Sequence, residues 1–149
     1  MQDKPLGMER RMVHRLLVHW RNAQKVDETP NLGTVLLAPL GDIEPSLYVL
    51  DIRGEEPEFE RIGGNLLADG GHGLIGEVVS DAPPQTLLGQ AVKYYSKVQI
   101  KEIPITLGGE FTHDNGKVIL YRSIIAPLCD ENGDVAFLLG AANCKVKDE

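Results

Sequence analysis

Cysteine is scarce in this sequence: Cys129 and Cys144 are its two, without CxxC spacing. They can form at most one bridge, so a disulfide scaffold is excluded and reduced, structural thiols are the reading. Basic charge is also short, with 15 Lys and Arg against 22 Asp and Glu, a net charge of −7 and a pI near 5.1. Such a chain repels a polyphosphate backbone, and nucleic acid is not an expected partner. The densest basic stretch, Arg10, Arg11, His14 and Arg15, lies in a helical pattern beside Glu9 and reads as a solvated helix face. The opening lacks a continuous apolar core of signal-peptide length, and no later run approaches the roughly 18 residues of a membrane span. A cytoplasmic protein without membrane contact is expected.

What is present is enough apolar content, 42 % over 149 residues, to bury the core of one domain spanning 1–149. From Glu9 to about Val26, the residues Met12, Val13, Leu16, Leu17, Trp20 and Ala23 recur at spacings of three and four, which predicts an amphipathic helix over about 9–26. It ends before "DETPNLG", where Pro30 disfavours helix at Thr29. "LGTVLLAPLGDIEPS" is broken by Pro39, Gly41 and Pro45 and reads as a short irregular or single-turn segment. The sheet and helical core occupy about 46–145.

"SLYVLDI" and "EFERI", joined by "RGEEP", read as a first hairpin. Between Gly63 and Pro84 five more glycines and a pair of prolines predict short helical turns and loops. "PPQTLLGQAVKYYSKVQ" reads as one helix, with Leu87, Leu88, Ala91, Val92 and Tyr95 on its apolar side. "SKVQIKEIPITLGGEF", "KVILYRSIIAPLC" and "DVAFLLGAANCKV" are β-rich runs separated by Asn-Gly turns, which predicts a three-strand antiparallel meander. The fold class is α+β: a five-stranded antiparallel sheet, a helical crossing on one face and an N-terminal amphipathic helix. The fourth strand is apolar on both parities, so both its faces must be covered. The crossing covers one. The Met12, Val13, Leu16, Leu17 and Trp20 stripe covers the other, from the same chain or from a partner subunit; the second option makes a homodimer interface of those residues.

Several chemistries are weighed against bland roles. A Cys129 nucleophile would need His72 or His113 as base and an acid such as Asp130, but no nucleophile elbow surrounds it, and a packed thiol is the better reading. The histidines, His14, His19, His72 and His113, include no HxH, HExxH or Cys/His cluster, so no metal site is expected. "GGNLLADGGHG" lacks GK[ST] and GxGxxG spacing and follows an antiparallel strand, so it reads as a loop beside a pocket and not as a phosphate cradle.

The order of elements resembles the PAS fold, and several stretches resemble short, often stand-alone bacterial PAS-like domains. These are the opening with "HWRNAQ", "DIEPSLYVLDI" into the first strand, and "EFERIGGNLL" with Arg61 and Gly64. The last is "APLCDENGDVAFLLGA", with Pro127, Leu128, Gly133 and Gly140. The similarity covers about residues 12 to 143; "DGGHG" and Cys129 depart from it.

The resemblance implies a non-enzymatic sensory or regulatory module of bacterial signal transduction. It would bind a small molecule or a signalling protein between sheet and crossing, and act through that partner or through self-association. The alternative is a small-molecule enzyme using Cys129 or a histidine. Ligand-binding candidates are Tyr48, Arg61, Asn65, Tyr95, Tyr121, Arg122 and Ser123, polar-tipped groups in or beside apolar runs. Strand parity leaves open whether Tyr121 and Ser123 or Arg122 faces the pocket. PAS-like domains that hold haem or flavin use a His or a reactive Cys on the central helices. Residues 63–97 contain His72 and no cysteine, so no flavin photoadduct and no cofactor is expected.

Overall fold

A computed structural model describes residues 10–24, 28–37 and 41–147. Helix α1 (Arg10–Ala23) is the predicted amphipathic helix; Glu9 and residues 25 and 26 of its expected span lie outside the described residues. A short helix α2 (Leu32–Leu37) and a tight 3-10 turn (Gly41–Ser46) containing Pro45 follow, in the segment expected to be irregular or a single turn. Strands β1 (Leu47–Asp51) and β2 (Glu58–Ile62) form the first hairpin.

The crossing from β2 to the next strand is a chain of short helical pieces. It contains α3 (Gly64–Leu66), a wide turn (Leu67–Gly71), a 3-10 turn (Val79–Asp81), α4 (Leu87–Ala91) and α5 (Tyr95–Lys101). The single helix expected over residues 83–99 is thus two, with a turn at 92–94. Thr86 caps α4: its Oγ1 accepts from Gly89 N–H at 3.1 Å and donates to the Pro83 carbonyl at 2.7 Å.

Residues 96–101 open the run expected as the third strand, their first four also falling in the expected helix, and they are helical. The helix ends at Glu102 with φ 57°, whose N–H returns to the Val98 carbonyl at 2.8 Å. Pro104 then biases Ile103 toward extended backbone. The third strand accordingly begins at Ile105.

β3 (Ile105–Thr112), β4 (Val118–Cys129) and β5 (Val135–Val146) make the predicted meander. Its two hairpins turn at Gly116 and Gly133, with φ 85° and 87°, a conformation that explains glycine after each Asn. The sheet is antiparallel throughout, in the order β2-β1-β5-β4-β3.

Both faces of the sheet are covered, as the two apolar parities of β4 require. On one face Met12, Leu16 and Trp20 of α1 pack with Val49, Ile124 and Leu139. On the other, Leu66, Leu88 and Val98 of the crossing pack with Tyr48, Ile125 and Leu138. Each such aliphatic side chain contributes about 1.5–3 kcal/mol relative to exposure. Trp20 Nε1–H also donates to the Pro127 carbonyl at 2.7 Å, fixing α1 against the C-terminal end of β4.

The chain's own sheet thereby takes up the stripe assigned to a dimer interface. Met12, Leu16 and Trp20 are buried against it, and Val13 and Leu17 are half-buried at its rim.

Candidate functional site

The β4–β5 register settles which strand residues look toward the crossing. Tyr121 and Ser123 share a face with Ile125 and with Ala142 of β5, and that face packs on the helices. Ser123 is fully buried and its Oγ has no hydrogen-bond partner. Tyr121 is buried edge-on to Phe111, ring centroids 6.0 Å apart, and burial raises its hydroxyl pKa. Tyr48 on β1 points the same way; its hydroxyl lies 3.4 Å from the Ala91 carbonyl of α4, and burial pushes its pKa far up. Of the expected ligand-binding residues, these three share one interior. They sit among Phe59, Leu66 and Leu88, each 1 % exposed or less, and fill space as core side chains do.

Of the other four, Tyr95 packs against that interior from its margin; Arg61, Asn65 and Arg122 do not join it, which corrects the expectation of one pocket. Arg61 is exposed on β2 opposite Val49, so it shares the α1 face and borders a cavity of about 150 Å³ with Glu44 and Leu139. Arg122 is likewise on the α1 face and borders a groove of about 420 Å³ with Val13, His14, Leu17, Thr106 and Gly108. Strand parity separates Arg122 from Tyr121 and Ser123. Asn65 Nδ2 donates to Ser46 Oγ at 3.3 Å, tying α3 to the turn before β1. Tyr95 is half-buried at the start of α5 and borders a third cavity, about 230 Å³, on the crossing. Its walls are Val78, Val79, Ala82, Pro84 and Val92, and Glu56 and Lys93 stand at its rim.

Sequence reasoning missed a pair that joins the crossing to the meander. His113 Nε2 and Asp69 Oδ1 are 2.7 Å apart, and Asp69 Oδ2 accepts from the Leu87 N–H at 3.0 Å. One carboxylate thus holds the first turn of α4 and the loop after β3. The residues are 44 apart in sequence, and no local spacing signals their meeting.

The nucleophile alternative is not assembled. Cys129 Sγ–H donates to the Thr29 carbonyl at 3.0 Å, and desolvation raises its pKa. Asp130 Oδ1 accepts from Asn132 and Asp134 N–H groups within its own turn, and His113 is engaged by Asp69. Burial pushes the Cys144 thiol up to about 11, which keeps it protonated near neutrality.

No family profile and no curated protein matches the chain. Solved structures do. The dark structure of the blue-light photoreceptor Aureochrome1 LOV aligns with a TM-score of 0.55 at 15 % identity, over 81 % of this chain and 88 % of that one. A variant of Vivid aligns at 0.51 and 13 %, over 97 % and 99 %. A fungal LOV domain photoreceptor aligns at 0.50 and 19 %, over 87 % and 89 %. LOV domains are a subclass of the PAS domains.

This is a PAS-like fold. The expectation drawn from the order of elements is borne out for the fold, and these levels of identity speak to the fold alone. A flavin analogue figures in work on another LOV neighbour, with a TM-score of 0.50 and 18 % identity over 68 % of this chain and 78 % of that one. This PAS-like chain does not fit flavin-adduct chemistry. Its crossing, residues 63–104, contains no cysteine, and Cys144, the thiol packed toward the crossing, lies on β5. Among the described residues no group of three His, Cys, Asp or Glu is arranged for a metal ion, and no helix is long and apolar enough to cross a membrane.

Proposed function

We propose that this domain is a sensory or regulatory module of bacterial signal transduction. It works in the cytoplasm without catalysing a reaction, binds a small molecule or a protein partner, and passes the response on to a signalling protein. The observation that carries the reading is the cavity of about 230 Å³ beside Tyr95, set on the crossing of a PAS-like sheet. Its apolar walls and its few polar groups, Glu56, Lys93 and the Tyr95 hydroxyl, are the composition of a site for a small, partly apolar ligand. A ligand there touches α4 and α5 together, and the Asp69 carboxylate links the start of α4 to His113 and so to the end of β3. Binding on the crossing therefore has a short mechanical route to the sheet.

Self-association through the α1 stripe would need that helix to leave its own sheet. Met12, Leu16 and Trp20 are already packed, so two copies could share them only by exchanging the helix.

The test is an amide NMR titration of the purified chain with pooled small metabolites. Shifts that cluster at Ser80, Val92, Lys93 and Tyr95, and weaken in Tyr95→Ala, support the reading. Shifts confined to the Cys129 turn, with turnover of a pool component that Cys129→Ser abolishes, would establish the enzyme alternative instead.

A further inference from the structure

Strands β2 and β3 form the two edges of the sheet, and the chain treats them differently. The outer edge of β2 is closed by residues 75–79. Phe59 N–H donates to Glu77 at 2.9 Å, Gly76 N–H to Phe59 at 2.7 Å, and Val79 N–H to Pro57 at 2.9 Å. That strand also exposes Glu58, Glu60 and Arg61, and its pairing with β1 is interrupted by a shift of register.

The edge of β3 is neither closed by another segment of the described residues nor interrupted by a shift of register. Among the described residues, its backbone bonds lie within the ladder to β4, whose register runs unbroken from Ile105↔Ile125 to Thr112↔Val118. An open, regular edge is a template for another strand, and natural edges are blunted by Lys, Pro or bulges. "ITLGGEFT" contains no Lys and no Pro across its eight residues, and Glu110 is its one charge.

The charges beside this edge are complementary to each other. Register places Arg122 of β4 directly alongside Gly108, on the face turned toward α1. Among the described residues, the groove there is lined by Arg122 and His14 but by no carboxylate. Glu110 lies two residues further along the same face. It meets Lys147 Nζ at 3.5 Å, with both side chains about half exposed, a contact weak enough to be exchanged.

We propose that β3 pairs antiparallel with β3 of a second copy, about a twofold axis at Gly109, to form one continuous sheet. In this register Gly108 faces the partner's Glu110, Leu107 faces the partner's Phe111, and Thr106 faces the partner's Thr112. Arg122, Gly108 and the partner's Glu110 then form one row across three strands. Two strand spacings are about 10 Å, within the combined reach of an extended Arg and a Glu. The bare Gly108 leaves the path between them open. Twofold symmetry makes this ion pair twice, and on the opposite face it sets Leu107 beside the partner's Phe111, an apolar cross-strand pair. An extended segment of another protein could use the same edge. The second copy is the better occupant because it brings a carboxylate to the cationic groove in both halves, and the assembly closes on itself.

Sedimentation velocity of the full chain over a range of concentrations tests this, with Glu110→Arg, Arg122→Glu and the double exchange. All substituted positions are exposed, and circular dichroism checks that each variant keeps its fold. The expected result is a reversible dimer, weakened about tenfold or more by either single reversal and restored by the double exchange. Amide exchange at Leu107–Phe111 should slow as concentration rises. A chain that stays monomeric throughout overturns the proposal, and so does a dimer indifferent to both single reversals.

Discussion

Tyr48 lies against Gly140 of the neighbouring strand, so close that a Cβ at position 140 would fall well inside contact distance of two ring carbons and the hydroxyl oxygen. Tyr48 has nowhere to retreat, because it is fully buried and its hydroxyl approaches the Ala91 carbonyl. The glycine that resembles the PAS-like pattern at this point thus has a steric cause.

Gly140→Ala is predicted to cost about 3 kcal/mol by overpacking. Urea unfolding of Gly140→Ala, Tyr48→Leu and the double variant reads it. The double variant should be clearly less destabilised than the sum of the two single changes, since the smaller side chain removes the clash. Strict additivity would show that the contact does not govern the cost.

Trp20→Ala is predicted to lower stability by about 3–5 kcal/mol, because it empties a packed site. Trp20→Phe should lose about 1 kcal/mol more than its change in volume, for the hydrogen bond to the Pro127 carbonyl. Thermal unfolding measures the loss and sedimentation measures the assembly. A Trp20→Ala chain with unchanged stability and a lost dimer would show that the α1 stripe serves a partner and not its own sheet.

How far the sequence discloses this arrangement depends on the range of the interaction. The span of β2 and the two Asn-Gly hairpins follow from local pattern and turn chemistry, and the structure keeps them. Residues 96–99 fall in the expected helix and in the expected third strand alike; the decision lies with the Val98 packing beneath α5 and with Pro104 beyond it. The site was less legible. Arg122 and Ser123 are adjacent in sequence and on opposite faces of the sheet, and choosing between them needs the β4–β5 register. Asp69 and His113 meet only because the crossing folds back over the end of β3.

Asp69→Asn should cost more than His113→Gln, since the carboxylate serves both the His113 ring and the α4 N-terminus. About 1–2 kcal/mol is expected for the loss of a helix-end acceptor together with a charged partner. Amide exchange should speed up at Leu87 and Leu88 in Asp69→Asn but not in His113→Gln. Equal acceleration in both variants would mean that the ring, not the cap, holds α4.

The thiols give a pH dependence of definite sign. Cys144 in the folded chain titrates near 11, against about 9 for an unburied thiol. The folded state keeps a proton that the unfolded state has released between those values, so stability is full below about pH 9 and falls as pH rises toward 11. Denaturant midpoints over that window should fall for the wild type and fall less for Cys144→Ser. Alkylation by iodoacetamide at neutral pH should be slow at both Cys129 and Cys144, whose thiols are shifted upward. Fast alkylation of Cys129 at pH 7 would revive a nucleophilic role.

The central claim is that the domain is a ligand-responsive module whose site is the cavity beside Tyr95. Native mass spectrometry of the purified full chain addresses it most directly, because it reports bound mass and oligomeric state in one spectrum. The account predicts a non-covalent small-molecule mass on the folded chain, released on denaturation and absent from Tyr95→Ala. A chain that is empty as purified, and stays empty when mixed with the metabolite pools that shift its NMR spectrum, would contradict it.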